Sequence, residues 1–171
     1  SVEHEFTKYH IPYKVFGGLK FFERKEIKDG LAYLRLIANP YDGEALTRII
    51  NVPKRGIGGR TIEVMEEYAS QNSLSLYDAV LDCDELPVNS GMKNKLRDFG
   101  SVIKSLVIPS LESPVNEFVR EVITATNLRE ACEDENDLAN VDEFVASVDD
   151  FSRLNPNATL SEYLSTVTLY S

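Results

Sequence analysis

The residues that could do chemistry cluster in one short, basic and glycine-rich segment, which consists of Lys54, Arg55, Gly56, Ile57, Gly58, Gly59, Arg60 and Thr61. Glycine permits a positive φ or the close approach of another backbone, and Ile57 between two glycines can plug into the core to fix a turn. A helix that starts after such a turn directs its first amides outward, together with the positive end of its dipole. With three cations beside those amides, the segment predicts a phosphate site that binds a nucleic-acid backbone without reading bases. The alternative is an ordinary turn with solvated basic residues.

Other catalytic and metal-binding patterns are weak. The chain has two histidines, His4 and His10, whose spacing fits neither a metal pair on one helical face nor a catalytic triad. The two cysteines, Cys83 and Cys132, sit in no CxxC spacing and are expected to be reduced, partly buried thiols. We therefore expect no catalytic centre and no metal site in this chain.

Two further stretches have some features of a phosphate site. The run Gly58-Gly59-Arg60-Thr61 is similar to the end of a G-x-x-x-x-G-K-[ST] nucleotide loop, but arginine replaces the lysine, and Lys54 stands where the first glycine is required. A nucleotide-binding loop is therefore not expected. Ser90, Gly91 and Lys93, at the start of another predicted helix, form a weaker candidate for phosphate contact.

Charge is divided unevenly along the chain. The net charge of −10 is the sum of +4 over residues 1–60 and −14 over residues 61–171. Because binding to a phosphate backbone depends on local cation density, the overall charge does not exclude a nucleic-acid partner. No apolar run reaches the roughly eighteen residues of a membrane span, and the N-terminus has no signal-peptide core, so we expect a soluble intracellular protein.

Hydrophobic periodicity indicates a mainly helical fold with one short strand, Tyr13 to Phe16, near the N-terminus. The best helical pattern places Ile27, Leu31, Leu34 and either Ile37 or Ala38 on one face. Gly30 inside this helix costs roughly 1 kcal/mol relative to alanine and is expected to loosen it. Further helices are expected at about 42–51, 61–71, 76–83, 92–107 and 137–154, with helix starts at Ser75, Ser90 and Ser113-Pro114 and a capping box at Thr159 and Glu162.

Three stretches carry a family resemblance: Gly17-Gly18-Leu19-Lys20-Phe21-Phe22-Glu23-Arg24-Lys25-Glu26-Ile27-Lys28-Asp29, then Ala32-Tyr33-Leu34-Arg35-Leu36-Ile37, then Asn51-Val52-Pro53-Lys54-Arg55-Gly56-Ile57-Gly58. Together they resemble the UvrD, PcrA and Rep group of superfamily-one DNA helicases. The match is specific from about residue 13 to residue 61, and beyond it only helical pattern and length agree.

This resemblance implies a domain organisation. Residues 1–22 would be the end of the second RecA-like (2A) domain, and residues 23–171 the helical 2B insertion. The Gly-Ile-Gly turn resembles a helix-hairpin-helix element that contacts duplex backbone ahead of the unwinding fork. The family's Walker A and B motifs and its Thr-x-His-x-x-Lys-Gly segment are absent, so the chain is expected to be a piece of a longer helicase.

The combined prediction is a mainly α, multi-helix 2B-type accessory domain with a short β-strand stub from an α/β RecA-like domain. It would bind duplex DNA at a fork junction and regulate an ATP-dependent 3′-5′ DNA helicase of repair or replication, cytoplasmic and nucleoid-associated. ATP and Mg²⁺ would act in the parent helicase, with no cofactor in this chain. Its partners would be the remaining motor domains and proteins docked on the acidic half. The alternative is an acidic helical protein-interaction module without direct DNA contact.

The isolated chain is expected to show no ATPase or unwinding activity, because it lacks a phosphate loop and the carboxylate that binds magnesium beside it. Phosphate release measured with single-stranded DNA present should equal a matched blank. Turnover that survives repurification would contradict the interpretation as an accessory piece.

Overall fold

The computed structural model describes residues 19–169, with Leu19 as backbone only, and no strand occurs within that range. Two 3₁₀ helices span Cys83–Glu85 and Leu128–Ala131. The described part contains nine α-helices: α1 Leu19–Glu23, α2 Lys25–Ala38, α3 Gly43–Ile49, α4 Gly59–Asn72, α5 Leu76–Leu81, α6 Ser90–Glu112, α7 Val115–Thr126, α8 Glu135–Leu154 and α9 Leu160–Thr168.

Helix α2 is the centre of the fold. It packs against α1, α3, α6, α7, α8 and α9, and nine of its 14 residues are buried. The predicted apolar face is confirmed, with Ile37 buried and Ala38 exposed. Burial extends beyond that face to Tyr33 and Leu36, because neighbouring helices cover α2 on several sides. Each large side chain removed from water here contributes about 1.5 to 3 kcal/mol.

A buried carboxylate joins α2 to α3. Asp29 is 2% exposed, and its two oxygens accept hydrogen bonds from Lys25 Nζ at 2.6 Å and from Arg48 Nε at 2.9 Å. An unpaired charge at this depth would be strongly destabilising, whereas two cationic donors satisfy it. The start of α3 is separately capped by Asp42, whose Oδ1 accepts from the Ala45 amide at 2.9 Å.

Gly30 is a packing position, contrary to the expectation that it loosens the helix. A Cβ built at Gly30 would lie 2.7 Å from an edge carbon of the Phe144 ring. Phe144 is 1% exposed, so its ring has little room to move away. The absence of a side chain at Gly30 therefore lets α8 approach α2 closely.

The remaining helix starts largely follow the sequence signals. Ser75 accepts from the Asp78 amide in a capping box that opens α5, and Thr159 with Glu162 forms the predicted capping box of α9. Helix α6 starts one residue earlier than expected, with Asn89 instead of Ser90 as its N-cap. Pro114 is itself the N-cap of α7, so the predicted proline in the first turn lies one position outside the helix.

The mainly helical prediction is confirmed for residues 19–169. The predicted strand Tyr13 to Phe16 lies outside the described residues, and the division into residues 1–22 and 23–171 stays a prediction. Helix α1 crosses that division, and its Phe21 and Phe22 are both buried in the helical core.

Replacing Gly30 with alanine should lower the free energy of unfolding by about 1 to 3 kcal/mol, because the new methyl group forces the Phe144 ring out of its place. Urea denaturation of G30A against the parent chain measures the change. G59A is the matched control, since a Cβ at Gly59 meets nothing within 4 Å. Its stability should be unchanged or raised by up to about 1 kcal/mol. A stabilised G30A would show that helix propensity outweighs packing at this position.

Candidate nucleic-acid interface

The basic segment forms the loop between α3 and α4, and its residues alternate between exterior and interior. Lys54, Gly56 and Gly58 are exposed, whereas Ile57 is fully buried, which confirms its expected role as a plug. Arg55 is half-buried. At the start of α4, Gly59 and Arg60 are exposed and Thr61 is buried at 7% exposure. The loop thus offers backbone and two cationic side chains to solvent, while the Thr61 side chain faces the protein.

The glycines of the loop serve two different purposes. Gly56 has a φ of 77°, in the left-handed region that disfavours residues with a Cβ. Gly58 has an ordinary φ of −89° and is the N-cap of α4. A Cβ at Gly58 would meet nothing within 4 Å, so this glycine leaves open space in front of the helix start. Gly56 therefore makes the turn, and Gly58 permits close approach.

Helix α4 presents an uncapped N-terminus at this open face. No side chain caps it, and its first carbonyl bond runs from the Ile62 amide to the Gly58 oxygen at 3.2 Å. The amides of the first turn have no partner within the helix, and the helix dipole makes this end positive. The arrangement favours an anion, since Arg60 lies in the same turn.

Arg55 faces inward and holds the end of α3. Its Nη1 donates to the carbonyl oxygens of Ile49 at 3.0 Å, Ile50 at 2.9 Å and Val52 at 3.3 Å. Its Nη2 donates to the Tyr33 hydroxyl at 2.7 Å and to the Thr126 carbonyl at 3.4 Å. The guanidinium therefore satisfies carbonyls that a helix end leaves without partners.

Aromatic rings from two helices complete the Arg55 environment. The guanidinium carbon lies 5.1 Å from the centre of the Phe99 ring on α6 and 5.9 Å from that of Tyr33 on α2. Tyr33 is fully buried, and its hydroxyl donates to the Val52 carbonyl. Burial raises the pKa of Tyr33 above its usual range, although the nearby Arg55 charge partly offsets this effect. The tyrosine stays neutral, as its hydrogen bonds require.

Asn51 organises the loop backbone and was missed by the sequence analysis. Its Oδ1 accepts from the Arg55 amide at 2.7 Å and from the Ile57 amide at 3.2 Å. An asparagine ahead of a turn, here two residues before Pro53, is a known signal for such side-chain to backbone bonding. The Val52-Pro53 peptide bond between them is cis.

Lys95 on α6 is a second residue that the sequence analysis missed. A Cβ built at Gly56 would lie 2.6 Å from Lys95 Nζ, so the ammonium group sits directly beside the loop. Lys95 is exposed, and within residues 19–169 no ion pair joins Lys54, Arg60 or Lys95 to a carboxylate. Gly56 and Lys95 are roughly forty positions apart in the sequence, so no local pattern predicts that they lie close together.

The weaker segment at the start of α6 has a different character. Ser90 and Gly91 are exposed, but the first turn is capped by Asn89, whose Oδ1 accepts from the Met92 amide at 2.8 Å. Lys93 Nζ donates to the Asp84 carbonyl at 2.9 Å. The Asp84 carboxylate also pairs with Arg97 at 2.5 Å. Because these groups already have protein partners, the arrangement offers a phosphate less than the α3–α4 loop does.

Three absences hold for the described part of the chain. Residues 19–169 contain no group of three or more His, Cys, Asp or Glu side chains that could hold a metal ion. In the same range, no helix has the length and apolar character needed to cross a bilayer. Cys83 is buried, Cys132 is half-buried, and both are free thiols.

The sequence of this chain is similar to a known protein family and to proteins of known name. A sequence model of the UvrD-like helicase C-terminal domain family matches residues 1–171. The ATP-dependent DNA helicase PcrA of Staphylococcus aureus is 39% identical over 161 residues, covering 91% of this chain and 22% of that protein. PcrA of Bacillus subtilis is 36% identical over 174 residues, covering 98% of this chain and 24% of that protein. The chain thus spans less than a quarter of the length of these relatives.

Replacing Asn51 with alanine should lower the free energy of unfolding by about 1 to 2 kcal/mol, because two loop amides lose their acceptor. N51D is the control, since a carboxylate oxygen can accept both hydrogen bonds and should keep most of the stability. Urea denaturation of the three proteins gives the comparison. Equal stability of N51A and the parent would mean that water replaces the side chain without cost.

Proposed function

Because this chain belongs to the UvrD-like helicase C-terminal domain family, we propose that it is a 2B-type accessory domain that binds duplex DNA within an ATP-dependent DNA helicase. The observation that carries the proposal is the α3–α4 loop, which joins an uncapped helix start to unpaired cations on an exposed face. Such a surface suits phosphate groups and carries no base-reading arrangement. Binding to duplex backbone without sequence preference follows.

The side chains that we assign to phosphate contact are Lys54, Arg60 and Lys95. They act with the backbone amides at the start of α4, in front of which Gly58 leaves room for a phosphate. Ile57 and Thr61 take part through backbone geometry alone, since their side chains are buried. Ser90, Gly91 and Lys93 remain a secondary contact region on the same helix as Lys95.

The whole protein, on this proposal, is a 3′-5′ helicase of repair or replication. Its motor domains would hydrolyse ATP with Mg²⁺ and translocate single strand, while this domain holds duplex at the fork and regulates the motor. We assign no nucleotide chemistry to this chain itself. The protein would work in the bacterial cytoplasm, associated with the nucleoid, and the acidic half would be available to protein partners.

The chain should bind plain duplex DNA weakly and without sequence preference, with a dissociation constant in the non-specific range of about 10⁻⁴ to 10⁻⁶ M or weaker. Neutralising about two to four phosphates gives a log-log salt slope of about −2 to −4. The K54A/R60A double variant should lose about two units of that slope. Fluorescence anisotropy across a salt series measures both quantities.

Lys95 and Lys104 provide a matched pair for the same measurement. Both are exposed lysines of α6, but Lys104 lies nine residues, or about 13 Å, further along the helix. K95A should weaken binding and lower the slope by about one, whereas K104A should leave both near the parent values. Equal slopes for the parent and K54A/R60A would overturn the duplex-binding proposal. The acidic protein-interaction module would then be the better account.

A further inference from the structure

Arg55 belongs to the basic segment by sequence, yet its side chain is occupied inside the protein. We propose that Arg55 is a positioning residue, which fixes the α3–α4 loop for duplex binding and does not itself contact phosphate. This inference rests on the proposed function of the loop. Two cations of the segment, Lys54 and Arg60, face solvent, whereas Arg55 packs against the protein and holds the loop in position.

The hydrogen-bonding capacity of Arg55 is directed away from solvent. Both terminal nitrogens donate to protein oxygens, three of them carbonyls of residues 49, 50 and 52 at the end of α3. A phosphate contact would require the guanidinium to leave these carbonyls and expose them without partners. That exchange would cost the hydrogen bonds that hold the loop in place.

The contacts of Arg55 join the loop to three other helices. Tyr33 belongs to the central helix α2, Phe99 to α6, and Thr126 is the last residue of α7. The distances are 2.7 Å to the Tyr33 hydroxyl, 3.4 Å to the Thr126 carbonyl and 5.1 Å to the Phe99 ring centre. The position of the loop relative to α6, and so relative to Lys95, is therefore set through Arg55.

The alternation along the loop explains how an inward arginine affects outward groups. Arg55 and Ile57 are the two inward anchors, and Lys54, Gly56 and Gly58 are the exposed positions between and beside them. Asn51 holds the amides of these same two anchors. If the Arg55 anchor is lost, the exposed amides and Lys54 no longer keep a fixed distance from Lys95.

Lysine cannot replace arginine in this role. The planar guanidinium reaches four carbonyls and a hydroxyl at once, and it can stack against aromatic rings, whereas an ammonium group has three donors on a flexible stem. A charge-conserving substitution therefore separates positioning from phosphate contact. A phosphate contact that depends on charge alone would tolerate lysine, whereas a positioning residue would not.

The test compares the full chain with R55K, K104R and G30A in two assays below the melting temperature of every variant. The first assay is duplex affinity by fluorescence anisotropy. The second is hydrogen exchange at the amides of Arg55 and Ile57, which needs no DNA. K104R is the matched charge-conserving change at an exposed position outside the binding surface, and G30A is destabilised in the core without touching the loop.

We expect R55K to bind duplex at least about tenfold more weakly, while K104R and the folded G30A bind like the parent. The amides of residues 55 and 57 should exchange at least about tenfold faster in R55K only. Without the Arg55 side chain, the loop no longer holds these amides at hydrogen-bond distance from Asn51 Oδ1. If R55K fails to fold, Y33F takes its place, since it removes the hydroxyl that accepts from Arg55 and leaves the charge intact. Y33F should give the same two effects at a smaller size.

Two results would overturn the inference. Parent-like affinity of folded R55K with unchanged exchange would make Arg55 an ordinary cation that lysine replaces. Parent-like affinity with faster exchange would make Arg55 purely structural. If the parent chain itself binds no duplex, the proposed function fails. Parent-like exchange in the tested variant would still reject Arg55 as the anchor of the loop in that case.

Discussion

The burial of α2 on several sides is the constraint on which the rest of the structure depends. A helix inside a small domain must satisfy every polar group that it carries and must fit every neighbour that covers it. Asp29 meets the first demand with two cationic donors, and Gly30 meets the second by leaving space for the Phe144 ring. Tyr33, on the same helix, extends the constraint to the α3–α4 loop through its hydroxyl. The candidate interface is thus connected to the centre of the core.

The candidate interface places a half-buried cation, Arg55, behind the exposed ones. Placing a guanidinium partly inside a protein is favourable only when its donors are satisfied, and the free carbonyls at the end of α3 supply that satisfaction. The arginine donors therefore satisfy the carbonyls at the helix end, and these carbonyls satisfy the arginine donors. On the proposed function, a loop backbone held in this way would reduce the ordering cost of binding duplex DNA.

The acidic half of the chain neutralises its own arginines. Every arginine after residue 61 pairs with an aspartate, namely Arg97 with Asp84, Arg120 with Asp149, Arg129 with Asp142 and Arg153 with Asp150. Exposed pairs of this kind contribute little to stability, but each arginine in them already has a carboxylate partner. The pKa of Asp149 is lowered by its hydrogen bonds from Arg120. Lys54, Arg60 and Lys95 at the loop have no such carboxylate partner among residues 19–169, although the chain has a net charge of −10.

Local signals in the sequence determined most of the helices, the capping boxes of α5 and α9, and the place of the basic loop. Periodicity and capping depend on residues three or four apart, as with Ser75 and Asp78, and can be read along the chain. The family resemblance also rested on continuous stretches of sequence. The plug at Ile57 could be predicted because its neighbours are glycines.

Only the tertiary structure decided which cations face solvent. Arg55 and Lys54 are adjacent and chemically alike, but the partners that turn Arg55 inward come from residues 33, 99 and 126. Lys95 lies beside the loop because α6 passes next to it. Gly30 must lack a side chain because Phe144 on α8 packs against it. These contacts join residues that are distant in sequence, and no local rule specifies how helices pack. The roles of such residues follow from the three-dimensional arrangement alone.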